Sequence, residues 1–156
     1  EVEVEVTVKQ PWPPGWTDDD RLAAAADLKK EADSSYPKLQ SDEQALVRVY
    51  HTYAKVVRLY ENCTYQPPEP FQQAQERRDE LKDKIEAKER TLVIEFRRLF
   101  RSNQQDQALI LLDDLLALFP PDGEGTDLLS KHGDDKKYRQ YFILRERVLS
   151  SRKSGS

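Results

Sequence analysis

The sequence predicts a mainly α-helical protein. It takes the form of an irregular bundle of four to six helices, one of them long and partly projecting, behind an extended, β-strand-like N-terminal arm. Three observations predict it. After Thr17, apolar residues recur at spacings of three and four along most of the chain. Charged residues make up 35% of the 156 positions against 37% hydrophobic, with only 5 glycines, a balance that suits long solvated helices. The first ten residues alternate strictly instead.

In that opening stretch Val2, Val4, Val6 and Val8 share one face, and Glu1, Glu3, Glu5 and Thr7 share the other. This is a strand pattern with one buried face. Pro11, Pro13 and Pro14 end it, because proline removes ladder donors. The helical remainder offers no second strand to pair with. A lone strand leaves backbone donors and acceptors unpaired, so the arm needs a partner's sheet edge or a surface to cover its valines. Trp12 and Trp16, in the proline-stiffened segment, suit anchoring because interfaces favour aromatics. The organisation expected is an interaction arm over 1–16, a helical bundle over 17–151 and a flexible tail over 152–156.

The first helix is expected from Asp18 to Tyr36, with Thr17 and Asp20 as a capping box and Pro37 as the stop. Its stripe of Leu22, Ala25, Ala26, Leu28, Ala32 and Tyr36 is thin. A second capping box, Ser41 to Gln44, opens the next helix, which runs to about Asn62. Leu46, Tyr50, Tyr53, Val57 and Tyr60 give it the cleanest helical stripe in the chain, widened by Val49 and Val56.

A third helix follows the Pro67-Pro68-Glu69-Pro70 connector, from about Pro70 or Phe71 to Ser102. Phe71, Ala74, Leu81, Ile85, Leu92, Phe96 and Leu99 form a near-heptad, coiled-coil-like seam. Its polar middle predicts a helix that projects or has a single neighbour. The fourth, about Gln105 to Phe119, is apolar nearly all round, which predicts burial at the centre. After the loop of residues 120–125, a short helix is expected from Thr126 to Gly133. A last helix is expected from Asp134 to Ser151, with Tyr138, Tyr141, Phe142, Arg145, Val148 and Leu149 inward. No internal repeat is present.

Chemistry-bearing motifs are sparse. His51 and His132 have no metal-ligand spacing, and no glycine-rich phosphate loop, P-loop or nucleophile elbow occurs. One cysteine, Cys63, excludes an internal disulfide framework and multi-cysteine zinc sites. Adjacent Asp113 and Asp114 point about 100° apart on a helix, a poor cage for a hard cation. No cofactor, metal or small-molecule substrate is expected. Asn62-Cys63-Thr64 matches a glycosylation sequon, which matters only in a secreted protein.

The net charge of -4 hides an uneven distribution. Residues 1–35 hold nine acids and four bases, and residues 131–153 hold eight bases and three acids. Lys136, Lys137 and Arg139 in the basic end sit among Tyr138, Tyr141 and Phe142, a pattern that suits nucleic acid. A net acidic chain with no nucleic-acid motif argues against that use, and complementarity between the two ends accounts for it equally.

The function expected is therefore non-catalytic: an accessory or scaffold subunit of a larger assembly. It binds other protein subunits through Val2, Val4, Val6, Val8, Trp12, Trp16, Lys136, Lys137 and Arg139. Three alternatives remain. The first is an adaptor with a peptide groove beside the Tyr50–Tyr60 face. The second is a nucleic-acid binder using the last helix. The third is an enzyme, which requires polar groups converging from at least two helices. No apolar run approaches the ~18 residues of a membrane span. The N-terminus has no basic region followed by an apolar one, so it is no signal or transit peptide. The absence of methionine raises two origins: a domain cut from a longer chain, or a mature chain whose leader was removed. An intracellular location is favoured, with a processed mitochondrial or chloroplast subunit as the variant the missing methionine suggests.

Overall fold

The computed structural model describes residues 15–121 and 134–154. It is mainly helical, a five-helix bundle with no strand among the described residues. The elements are α1 (Asp18–Ser35), a 3-10 helix (Tyr36–Ser41), α2 (Glu43–Glu61), α3 (Pro68–Arg101), α4 (Gln105–Leu118) and α5 (Asp135–Ser154). The valine arm, Trp12 and the short helix expected from Thr126 lie outside the described residues.

Local chemistry accounts for the boundaries. The Thr17 hydroxyl accepts from the Asp20 amide, while the Asp20 carboxylate accepts from the Thr17 amide at 2.9 Å, a complete capping box. At α2 the expected cap is displaced by one residue. Asp42, not Ser41, is extended, and its carboxylate accepts from the Gln44 and Ala45 amides at 3.1 and 3.2 Å. Ser41 is instead the last residue of the 3-10 helix that contains Pro37. Between α3 and α4, Asn103 takes φ 61, a left-handed geometry that asparagine tolerates. The Gln104 amide donates to the Leu99 carbonyl and the Asn103 amide to Phe100, closing a Schellman motif.

Each helix packs chiefly on its neighbours in sequence: α1 on α2, α2 on α3, α3 on α4 and α4 on α5. Short connections fold α2 and α4 back along α3, and the two also touch each other. At 34 residues α3 spans about 50 Å, long enough to carry both. The expectation that it projects or has one neighbour is therefore corrected, since Ala74, Leu81, Ile85, Phe96 and Leu99 are buried along its whole length. The seam read from the sequence is the buried side.

The core is built from Tyr53, Val49, Val56, Val57, Leu81, Leu112, Leu115 and Val148, all essentially inaccessible. Each such side chain contributes about 1.5–3 kcal/mol of burial. Helix α4 departs from expectation: it is flanked, not central. Ala108, Leu112, Leu115 and Leu118 are buried, but Ile110 is 61% exposed. Two neighbouring helices cover only part of a circumference, so an apolar residue on the far side stays wet. In α5, Tyr141 and Val148 are buried while Phe142 is 42% exposed. The helix runs on to Ser154, past the expected start of a tail at 152.

Two polar groups fix the stack. Asp33 of α1 accepts from the Tyr53 hydroxyl and from Arg77 Nη1 of α3, both at 2.6 Å, and from Lys29 Nζ at 2.7 Å. Arg77 also lies 4.3 Å over the Tyr36 ring, whose hydroxyl donates to Glu80. Burial acts to raise the Asp33 pKa, but its three donors outweigh it and hold the carboxyl below the usual range. Nearer the N-terminus, hydrogen bonds from Thr64, then Arg21 at 2.5 Å, lower Asp18 to about 2.

Candidate functional site

The middle of α3 is where α2, α4 and α5 converge, and a cleft of about 650 Å³ opens there. That is within the usual range for small-molecule sites. Tyr50 and Ala54 from α2, Ile85 from α3, and Leu118 and Phe119 at the end of α4 supply its apolar lining. Lys55, Arg58, Lys82, Arg90 and Lys136 bring positive charge from α2, α3 and α5. Glu86, Glu89, Asp134 and Asp135 bring negative charge. His51 also lines it, with its ring 4.9 Å from Tyr50 in an edge arrangement, consistent with a residue at the edge of the core.

Glu89 and Asp134 are both tied into the fold. Glu89 accepts from Lys137 Nζ at 2.9 Å and from the Tyr141 hydroxyl at 2.6 Å. Lys137 lies 5.6 Å from the Phe119 ring centroid, and Phe119 stacks on Tyr141 at 5.9 Å. Burial, then Glu89, pushes the Tyr141 hydroxyl upward, so at neutral pH it is a proton donor only. Asp134 caps α5, its carboxylate accepting from the Lys137 amide at 3.1 Å. The arrangement pins α5 to α3. The lining carries both bases and acids.

The bases of α5 divide by the face they occupy. Lys137 pairs with Glu89 of α3, Arg145 with Asp113 of α4 at 2.9 Å, and Arg152 with Asp106 of α4 at 2.7 Å. Lys136, Arg139, Ile143 and Arg147 recur at spacings of three and four and are all exposed, with Ile143 45% open to solvent. None of those three bases has an ion pair among the described residues. Lys136 joins this outer face to the rim of the cleft.

Of the residues singled out in the sequence, Lys136 and Arg139 thus lie together on an exposed face. Lys137 turns inward and holds the fold. Trp16 is half-buried against the helical core, and its carbonyl accepts from Arg21 at 3.0 Å. Val2, Val4, Val6, Val8 and Trp12 fall outside the described residues. The tyrosine groove does not form as expected. Tyr53 and Tyr60 are 0% and 3% exposed, and only Tyr50 reaches the cleft.

Sequence reasoning missed Glu89, Arg147 and Ile143. The ladder of 136, 139, 143 and 147 was readable as one helical face. The pairing of Glu89 with a lysine 48 positions away carries no local signal.

Cys63 is buried, its thiol 3.2 Å from the Leu59 carbonyl, and burial raises its pKa. Asn62 ends α2 and donates its side-chain amide to the Arg58 carbonyl at 2.8 Å. Among the described residues no three His, Cys, Asp or Glu side chains gather as a metal site. None of their helices is long and apolar enough to cross a membrane. No protein-family model matches the chain, and no curated protein or solved structure matches it either.

Proposed function

We propose that this chain is a non-catalytic accessory or scaffold subunit that binds protein partners on its helical surfaces, the outer face of α5 receiving an acidic segment of a partner. The observation that carries this reading is the sorting of the α5 bases. Lys137, Arg145 and Arg152 are neutralised by acids of α3 and α4, while Lys136, Arg139 and Arg147 stand outward around Ile143 with no ion pair among the described residues. An apolar residue ringed by exposed bases complements an acidic helix or extended segment that carries one apolar side chain. The valine arm and Trp12 belong to the same proposal, on the strength of their alternation alone.

The cleft satisfies the geometric condition of the enzyme alternative, polar groups from more than one helix. Its Glu89 carboxylate, however, is held by Lys137 and a protonated tyrosine, which suits a structural pin better than an acid or base.

Cross-linking mass spectrometry on native material, combined with native gel mobility, tests the proposal. Lys136 is expected to cross-link to acidic segments of other proteins, and the chain to migrate in an assembly. The triple change Lys136→Glu, Arg139→Glu, Arg147→Glu is expected to release it from that assembly without loss of helicity. Migration as a free 18.2 kDa chain in native material, with cross-links from Lys136 only to its own residues, would overturn the reading.

A further inference from the structure

We infer that the solvent face of α3 pairs with the same face of a second copy, the two helices running antiparallel about a two-fold axis. The inference is independent of α5 and rests on how charge is laid out along one stripe of the long helix.

The buried side of α3 is set by Ala74, Leu81, Ile85, Phe96 and Leu99. On the opposite side, Glu76, Asp83, Arg90 and Arg97 stand at intervals of seven and are all exposed. Seven residues return a helix to within about 20° of the same direction, so these four form one row. The row is segregated: acids occupy its first half and bases its second. Neighbouring exposed positions extend the division, with Asp79 in the acidic half and Arg101 in the basic half. None of Glu76, Asp83, Arg90, Arg97 and Arg101 has an ion pair among the described residues. Ile94, 67% exposed, lies within the basic half, and Ala87 sits near the midpoint, also exposed.

This layout is complementary to itself. A two-fold axis passing between Glu86 and Ala87 sets Asp83 of each copy opposite Arg90 of the other. The same axis sets Glu76 opposite Arg97, because both pairs are equidistant from it. An isologous contact repeats every pair, giving four ion pairs from two kinds. A parallel arrangement instead sets acid against acid and base against base. The small Ala87 allows close approach at the axis, and Ile94 loses solvent under the partner's helix. Helices α1, α2 and α4 sit on other sides of α3, and α5 lies along one flank, held at Glu89 with Arg90 at the rim of the cleft between them; Glu76, Asp83, Arg90 and Arg97 nevertheless stay exposed to a second copy. Opposite charges at facing positions specify register and orientation. Because these pairs are exposed, the association is weak and salt-sensitive.

Sedimentation equilibrium of the full chain tests the inference. At low salt and sub-millimolar concentration the mass is expected to approach twice 18.2 kDa. It is expected to fall back to that of one chain near 1 M salt, where the screening length is about 3 Å. Two charge-reversed variants are then compared. One carries Glu76→Arg and Asp83→Arg; the other carries Arg90→Glu and Arg97→Glu. Each alone is expected to remain a single chain at low salt, and their equimolar mixture is expected to regain the doubled mass. Circular dichroism confirms that both stay helical, as exposed substitutions should. A native chain that remains single at low salt overturns the inference, as does a mixture that fails to associate or a variant that self-associates as the native chain does. The Lys136, Arg139 and Arg147 variant is expected to keep the doubled mass, which separates this contact from the α5 surface.

Discussion

Replacing Asp33 by alanine probes the node that ties α1 to α2 and α3. Three donors converge on its carboxylate: the Tyr53 hydroxyl, Arg77 Nη1 and Lys29 Nζ. The hydrogen bond from fully buried Tyr53 to a charged acceptor is worth about 1.5–3 kcal/mol. The two ion pairs are partly exposed, so each adds only about 0.5–1 kcal/mol. Against this, alanine in a helix recovers about 0.5 kcal/mol of propensity, and water reaching the half-open site recovers part of the remainder. The expected net loss is about 2–3 kcal/mol. For a domain of this size that lowers the melting temperature by about 5–10 °C. Tyr53→Phe is expected to cost less, about 1–1.5 kcal/mol, because Asp33 keeps Arg77 and Lys29. Urea unfolding followed by circular dichroism measures both variants. Their double mutant is expected to show a coupling of about 1 kcal/mol.

The pH dependence has a definite sign. The folded Asp33 carboxyl titrates below its ordinary value of about 3.9. Its stabilisation is therefore complete above that value and is lost as pH falls through the folded pKa. The stability gap between the native chain and Asp33→Asn is expected to narrow steadily below about pH 4. A loss under about 0.5 kcal/mol for Asp33→Ala, or a gap that does not respond to acid, refutes the reasoning.

Two further outcomes follow from packing and from the cleft. Leu112→Ala, at a position with no exposure on α4, is expected to cost about 2–5 kcal/mol in the same unfolding assay. Glu89→Ala leaves the Tyr141 hydroxyl and Lys137 without their acceptor; hydrogen exchange in the first turns of α5 is expected to quicken about tenfold while α1 is unchanged.

Much of this architecture was legible as spacing and caps. The α2 stripe, the Thr17–Asp20 box and the prolines that open α3 are local signals, and each of these helices forms within a few residues of where they point. What the sequence concealed depends on neighbours. Helix α4 is apolar on nearly every side, which suggests a central position, yet it has flanking helices on only part of its surface and leaves Ile110 wet. Ser41 and Asp42 are both competent caps, and the 3-10 helix around Pro37, which ends on Ser41, decides between them. At the candidate site, Lys136 and Arg139 were visible in the run of bases. Lys137 looked equivalent to them, because the one-residue step that turns it toward Glu89 has meaning only once α3 lies alongside.

Because each helix rests mainly on the one made just before it, nearly every large contact surface closes a short span of chain. Such local topology places folding in the microsecond-to-millisecond regime of helical proteins. It also means that the nascent polypeptide can add one layer at a time as it leaves the ribosome, with no early segment waiting for a distant mate. The same ordering makes the outermost helices the first to detach, so partial unfolding is expected to begin at α1 or α5 while the α2–α3–α4 centre holds.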